Sequence, residues 1–249
     1  MSKLILPVLL AATLAACAQA PESPYPVEQF RSPAGKKVSI SMIHHATLAL
    51  NYKDCQIMID PVGRAGQTEL DYSVFPKADC ILITHEHGDH YNAETIEKLS
   101  KDGTLVILNP ATQEKFGKGE AMSNGQTRKV GPFGLAAVPA YNNTEGHLQL
   151  HPKGRDNGYI LDFDGLKVYV SGDTEDIEEM AGFGPVDVAF LSANQPYTMT
   201  PEQCVRAALV LKPKVLIPYH LSNTDMQSIK DALDAQGSGI DVRLFEELR

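Results

Sequence analysis

The residues best suited to chemistry stand together in Thr84-His85-Glu86-His87-Gly88-Asp89-His90. Three imidazoles and the Asp89 carboxylate come just after the apolar run Cys80-Ile81-Leu82-Ile83. Side chains alternate across a strand, so His85 and His87 converge if extended backbone continues past that run. Gly88 permits a sharp turn, which brings Asp89 and His90 back toward the same point. Imidazole and carboxylate donors together suit Zn2+, Fe2+ or Mn2+. A solvated polar loop is the bland alternative; it accounts for one histidine and poorly for this spacing. A serine triad has less support, because no GxSxG elbow is present. Four cysteines without a CxxC pair argue against a zinc ribbon or a thioredoxin-like redox site.

The elements that must position these groups are short. Residues 38–43, 47–52 and 56–60 are predicted as three successive strands, and 78–84 as a fully buried one. Helices are predicted over 93–101, with Asn92 as N-cap, and over 111–116, with a strand at 105–108 between them. The second half repeats this style. It has a strand at 135–139, a hairpin of 159–163 with 167–171 around Asp164-Gly165, a helix at 176–181 and a strand at 186–191. A helix at 201–211 capped by Thr200, a strand at 215–218, a helix at 225–235 and a strand at 242–245 follow. Strands that alternate with helices predict sheets covered by helices on their outer faces. The likeness of the halves reads as a weak internal duplication with no fixed short period.

Of the 249 residues, 43% are hydrophobic and 21% charged, which excludes a disordered chain. The net charge of −9 argues against a partner held by phosphate contacts, so no nucleic acid is expected. Trp is absent and aromatics are 7%, which disfavours stacking platforms.

The first residues look like an address. Lys3 precedes a short apolar run from Leu4 to Leu14, below the roughly 20 residues that a membrane-spanning helix needs. Leu14-Ala15-Ala16-Cys17 resembles a bacterial lipobox, so residues 1–16 are expected to be a lipoprotein-type signal peptide. Cys17 would then carry the lipid. The alternative is ordinary cleavage near Ala18 or Ala20. Residues 17–36, with Pro21, Pro24, Pro26 and Pro33, are expected to form a flexible tether, and residues 37–249 one domain. This places the protein in the cell envelope, anchored by lipid on the periplasmic side of a bacterial membrane. Ala18 favours the outer membrane if the source is Gram-negative. Cys55, Cys80 and Cys204 remain after cleavage and read as small buried residues.

The pattern His85-x-His87-x-Asp89-His90 resembles the signature of the metallo-β-lactamase superfamily, and ordered motifs extend the resemblance over most of residues 40–220. Ser171-Gly172-Asp173-Thr174 resembles its GDT segment and Tyr219-His220 its late histidine. His45-Ala46-Thr47, and the stretch from His151-Pro152-Lys153-Gly154 to Gly158-Tyr159, resemble the branch that includes ascorbate-6-phosphate lactonase and N-acyl-phosphatidylethanolamine phospholipase D. The resemblance implies an α/β fold of four layers, an αββα sandwich with its metal site at one edge between two sheets.

It also implies residue roles. His85, His87 and His151 would bind a first metal; Asp89, His90 and His220 a second; Asp173 would bridge both. His147 lies in the same loop as His151 and competes for the place of third ligand. His44 and His45 point to opposite faces of a strand, and the resemblance picks His45 to support the ligands or face substrate. Asp60 would orient ligands from the Asp60-Pro61 turn, and Tyr197 would contact substrate. Two divalent ions, zinc first with manganese and iron as alternatives, would share a hydroxide. That hydroxide would attack a phosphodiester, lactone or other ester of a small-molecule substrate, with Asp89 and Asp173 as the catalytic carboxylates. Two other readings stay open: a non-catalytic binding lipoprotein that keeps the fold, and a di-iron oxidoreductase.

Overall fold

Two seven-stranded sheets share one wiring diagram. The computed structural model describes residues 23–249, so the predicted signal peptide and Cys17 lie outside the described residues. The first half runs β1 (Val27–Arg31), β2 (Lys37–His44), β3 (Thr47–Tyr52), β4 (Cys55–Ile59), a small hairpin of β5 (Arg64–Ala65) and β6 (Thr68–Glu69), then β7 (Cys80–Ile83), α1 (Ala93–Leu99), β8 (Leu105–Leu108), α2 (Pro110–Phe116) and β9 (Glu120–Ala121). The second half runs β10 (Thr127–Val130), β11 (Phe133–Ala140), β12 (Asp156–Phe163), β13 (Leu166–Val170), a 3-10 turn at Glu178–Gly182, β14 (Val188–Ser192), α3 (Pro201–Leu211), β15 (Val215–Tyr219), α4 (Met226–Ala235), β16 (Asp241–Val242) and a 3-10 turn at Glu246–Leu248. In the first sheet β1 to β4 pair antiparallel, and β4, β7, β8 and β9 pair parallel. The second sheet repeats this from β10 to β16.

The continuous apolar runs are explained by burial on both faces. In β7, Cys80 and Leu82 join a cluster between the sheets with Phe163, Phe190 and Tyr219, while Ile81 and Ile83 pack against Ile96 and Leu99 of α1. In β14, Val188 and Phe190 face the other sheet, and Ala189 and Leu191 face Cys204 and Ala208 of α3. Three apolar seams therefore separate four layers, in the order helix, sheet, sheet, helix. The remaining cysteines are free and buried, as expected. No helix among the described residues is long and apolar enough to cross a membrane.

The structure departs from the sequence expectations in three places. Residues 27–31, read as tether, form an edge strand in register with 37–41, so the sheet begins inside the proline-rich stretch. Its alternation of exposed and half-buried residues is hidden by the prolines on either side. The helix expected at 176–181 is a single 3-10 turn, since Gly182, Gly184 and Pro185 leave no room to extend it. The last expected strand pairs only at Asp241–Val242. The chain then crosses between layers, with Leu244 against the helix seam and Phe245 against the seam between the sheets.

Candidate metal centre

Asp60, His85 to His90, Asp173 and His220 sit just past the carboxyl ends of the parallel strands, where open α/β sheets gather ligands. Asp60 follows β4 in a left-handed conformation, with φ of 46°. Its carboxylate is buried and committed to neighbours. It accepts hydrogen bonds from Thr84 N at 2.8 Å and Thr84 Oγ1 at 2.7 Å, and it meets His90 Nδ1 at 2.8 Å. Burial raises its pKa above the usual carboxylate value. Thr84 Oγ1 also lies 3.0 Å from His85 Nδ1. From the facing sheet, Tyr159 Oη donates to the Ile83 carbonyl at 2.8 Å, and Asn157 N to that of Thr84 at 3.1 Å. The end of β7 is thus fixed before the histidine loop begins.

Two groups of donors meet at Asp173. His85, His87, His151 and Asp173 place one donor atom each within 4.8 Å of one another. His85 Nε2 is 3.1 Å from His87 Nδ1 and 3.8 Å from Asp173 Oδ2, and His151 Nε2 is 3.4 Å from the same oxygen. His151 is aimed by Asp156, whose Oδ2 lies 3.0 Å from its Nδ1. Arg155 Nε grips Asp156 at 2.7 Å in turn.

His90, His220 and Asp173 form a second group, and His45, Asp89 and His220 a third that shares His220 with it. His90 Nε2 is 3.3 Å from Asp173 Oδ1. His220 Nε2 is 3.3 Å from Asp173 Oδ2 and 3.4 Å from Asp89 Oδ2. Asp89 is half-exposed at the mouth, and His45 Nε2 stands 3.5 Å from it. The His45 and His220 rings lie 3.8 Å apart, and both residues hold a φ of 53°. Backbone strain of this kind persists only where surrounding structure enforces it. Gly172, at φ +62°, brings the chain to Asp173 so tightly that a Cβ would stand 2.7 Å from the Asn157 carbonyl.

The electrostatics fit a cation. Burial lowers the pKa of His85, His87 and His220, which keeps these imidazoles neutral and able to donate a lone pair. Burial opposes ionisation of Asp173, yet His220, His90 and His85 hold its carboxyl well below the usual range. Asp89 is held low in the same way, by the His220 and His45 imidazoles close to its carboxylate. Burial also opposes protonation of His90, but Asp173 and Asp60 outweigh it and raise its pKa well above the ordinary histidine value. Two ionised carboxylates, Asp173 and Asp89, therefore call for positive charge between them. Despite the short distances, His90 Nε2, His151 Nε2, His220 Nε2 and Asp173 Oδ1 have no hydrogen-bond partner of acceptable geometry. They point at common space rather than at one another, while Asp60 and Asp156 occupy the far nitrogens of His90 and His151. Such orphaned donors, backed by carboxylates, are what divalent-metal ligands require.

All seven residues predicted as metal ligands therefore come together, with His45 and Asp60 beside them. His147 does not join the donor groups. Its Nδ1 faces Glu175 Oε1 at 3.3 Å, at the base of its own loop. Tyr197 is half-exposed, and its carbonyl accepts from Asn142 Nδ2 at 2.9 Å. Neither Glu175 nor Asp156 stands in a motif that marks it as part of the site. Glu175 is fully buried and accepts from Asn143 N at 2.8 Å and Thr144 N at 2.6 Å, anchoring the loop that delivers His151.

A family model described as beta-lactamase superfamily domain matches residues 39–220. The chain belongs to the beta-lactamase superfamily. This superfamily member is 31% identical over 193 residues to a UPF0173 metal-dependent hydrolase of Thermococcus kodakarensis, a match covering 74% of this chain and 84% of the relative. It is also similar to the crystal structure of a candidate metal-dependent hydrolase from Parabacteroides distasonis, at 47% identity and a TM-score of 0.85, over 90% of this chain and 100% of that one. The metallo-β-lactamase fold protein YhfI of Bacillus subtilis superposes with a TM-score of 0.65 at 16% identity, over 83% of this chain and 90% of its own, and shares the fold alone. The fold is thus the α/β sandwich of that superfamily, and the chain is a member of a metal-dependent hydrolase family whose candidate divalent-metal site is the His/Asp cluster.

Proposed function

We propose that the protein hydrolyses a phosphodiester, a lactone or another ester of a small molecule at a dinuclear centre, with zinc as the expected metal. His85, His87, His151 and Asp173 would hold one ion; Asp89, His90 and His220 would hold the other, with Asp173 shared. The observation that supports this most is the set of buried, unpartnered atoms on His90, His151, His220 and Asp173. Divalent cations at such a site supply Lewis acidity, which makes water more acidic and polarises a substrate oxygen.

The chain's own residues set the geometry. Asp60 and Thr84 fix His90 and His85 through their Nδ1 atoms, which leaves each Nε2 free for coordination. Asp156 does the same for His151. Asp89 stands at the open side of the centre, where a substrate would enter, and His45 places an imidazole beside it. Ser171 donates to the Gly172 carbonyl and Thr174 to that of Tyr141, so the hydroxyls on either side of Asp173 are turned away from a nucleophile's role.

The test is elemental analysis together with hydrolysis of bis(p-nitrophenyl) phosphate and of a simple lactone. Wild-type protein is expected to hold up to two ions per chain and to lose activity on chelation, and Asp173→Ala to lose both ions and activity. Hydrolysis indifferent to chelator would overturn the proposal. Metal-loaded protein that cleaves nothing across a broad ester, lactone and phosphodiester panel would favour the binding-protein alternative.

A further inference from the structure

Beside the cluster lies a groove of about 570 Å³, lined among others by His45 and Asp89 on one side and by Arg64, Asn223 and Arg249 on the other. Its volume is that of a small-molecule site. It opens on the Asp89 side of the centre, so it is continuous with the proposed place of reaction. The two guanidiniums reach it from different halves of the fold. Arg64 stands on β5, just downstream of Asp60, and Arg249 ends the chain beyond the last 3-10 turn.

The charge of this wall runs against that of the molecule. The protein carries 31 acidic against 22 basic residues, yet Asp89 is the single acid among the residues lining the groove. That carboxylate is already engaged by His45 and His220. Neither arginine is used up by its neighbours. Arg64 is about half-exposed, reaches Glu69 only at 3.5 Å and donates from Nη2 to the Gln67 carbonyl. Arg249 is paired with Glu246 and leans on the Ser222 and Thr224 carbonyls through Nη1. Among the described residues, Arg64 Nε and Arg249 Nη2 have no hydrogen-bond partner. A guanidinium with a free N–H at the wall of a pocket is suited to an oxyanion, which it binds by charge-assisted hydrogen bonds.

We propose that this groove seats an anionic group of the substrate, a carboxylate or a phosphate monoester, between Arg64 and Arg249, while the bond to be cut lies over the His/Asp cluster. This rests on the hydrolase proposal above and adds a substrate class to it: small esters or lactones that carry a second, uncleaved anion. Asn223, in the same wall, offers an amide to such a group.

Two measurements on metal-loaded protein test it. The first compares a neutral five-membered lactone with the same ring bearing a carboxylate. Wild type is expected to prefer the charged lactone, and Arg64→Gln to lose about tenfold of that preference in kcat/KM, the loss of one charge-assisted hydrogen bond. Arg64→Lys should recover part of it. Because Arg64 stands on an exposed hairpin, its replacement leaves the sheets intact; Arg249→Gln is the second variant. An unchanged ratio in both variants overturns the proposal, whereas chelator-indifferent cleavage of both lactones overturns only the hydrolase proposal. The second measurement needs no turnover: the rise in thermal midpoint caused by inorganic phosphate. It should be present in wild type and smaller in Arg64→Gln. An equal rise in both, or none in wild type, counts against the groove.

Discussion

Strands β7 and β14 occupy equivalent places in the two sheets, yet the loops that follow them do opposite things. After β7, residues 85–90 turn their imidazoles and a carboxylate toward open space, and His90 Nε2 finds no partner in the protein. After β14, residues 194–200 close upon themselves. Asn194 O accepts from the Tyr197 and Thr198 amides at 2.9 Å, Thr198 Oγ1 accepts from Asn194 N at 2.6 Å, and Thr200 with Gln203 forms a capping box that launches α3. The same contrast separates two aspartates. Asp60, past β4, is satisfied by Thr84 and His90; Asp173, past β13, keeps Oδ1 unpartnered. The scaffold places a loop at the sheet edge. Whether that loop is available to a ligand depends on how much of its hydrogen-bonding capacity it uses on itself.

Three experiments bear on this contrast. Asp60→Asn weakens the charge that aligns His90, and is expected to lower metal affinity roughly 10- to 100-fold while the fold survives. Metal titration followed by calorimetry reads the change; an unaltered affinity would make Asp60 a packing residue and erase the distinction between the two aspartates. Acidification should next separate the two donor groups. His90, with its raised pKa, takes up a proton at higher pH than His85 or His87, whose values are lowered by burial. A proton displaces a cation, so under the dinuclear proposal the ion at His90 and His220 should leave first as pH falls, and the ion at His85 and His87 later. Metal content after dialysis across a pH series gives the order, and simultaneous release would mean the groups act as one. The smallest effect belongs to the self-contained loop. Thr200→Ala removes the α3 cap and should cost about 1 kcal/mol of stability in denaturant unfolding, with metal content unchanged. Lost metal would show that this loop supports the centre after all.

Much of the site could be read in the sequence because its donors are concentrated. His85, His87, Asp89 and His90 are adjacent, and Asp173 and His220 each sit immediately past an apolar strand. The duplicated strand-and-helix rhythm, with both faces of β7, β14 and β15 buried, was legible for the same reason. The partners were not. Asp156 matters because it meets His151, and Glu175 because it meets the amides of Asn143 and Thr144 across some 30 residues of chain. Neither stands in a local pattern. Strand β1 was missed since its five residues are an edge whose alternation is interrupted by prolines on both sides. Arg64 and Arg249 come to line one groove only through the folding together of two distant segments.

Residues 245–249 tie two turns of the site together. The Glu247 carbonyl accepts from His45 N at 3.0 Å, the Leu248 carbonyl accepts from Leu221 N at 3.1 Å, and the Leu248 side chain is sunk in the seam between the sheets. This short segment is a buckle: it hooks the turn bearing His45 to the turn bearing His220. Peeling it off would loosen a rim of the centre from both halves in a single event.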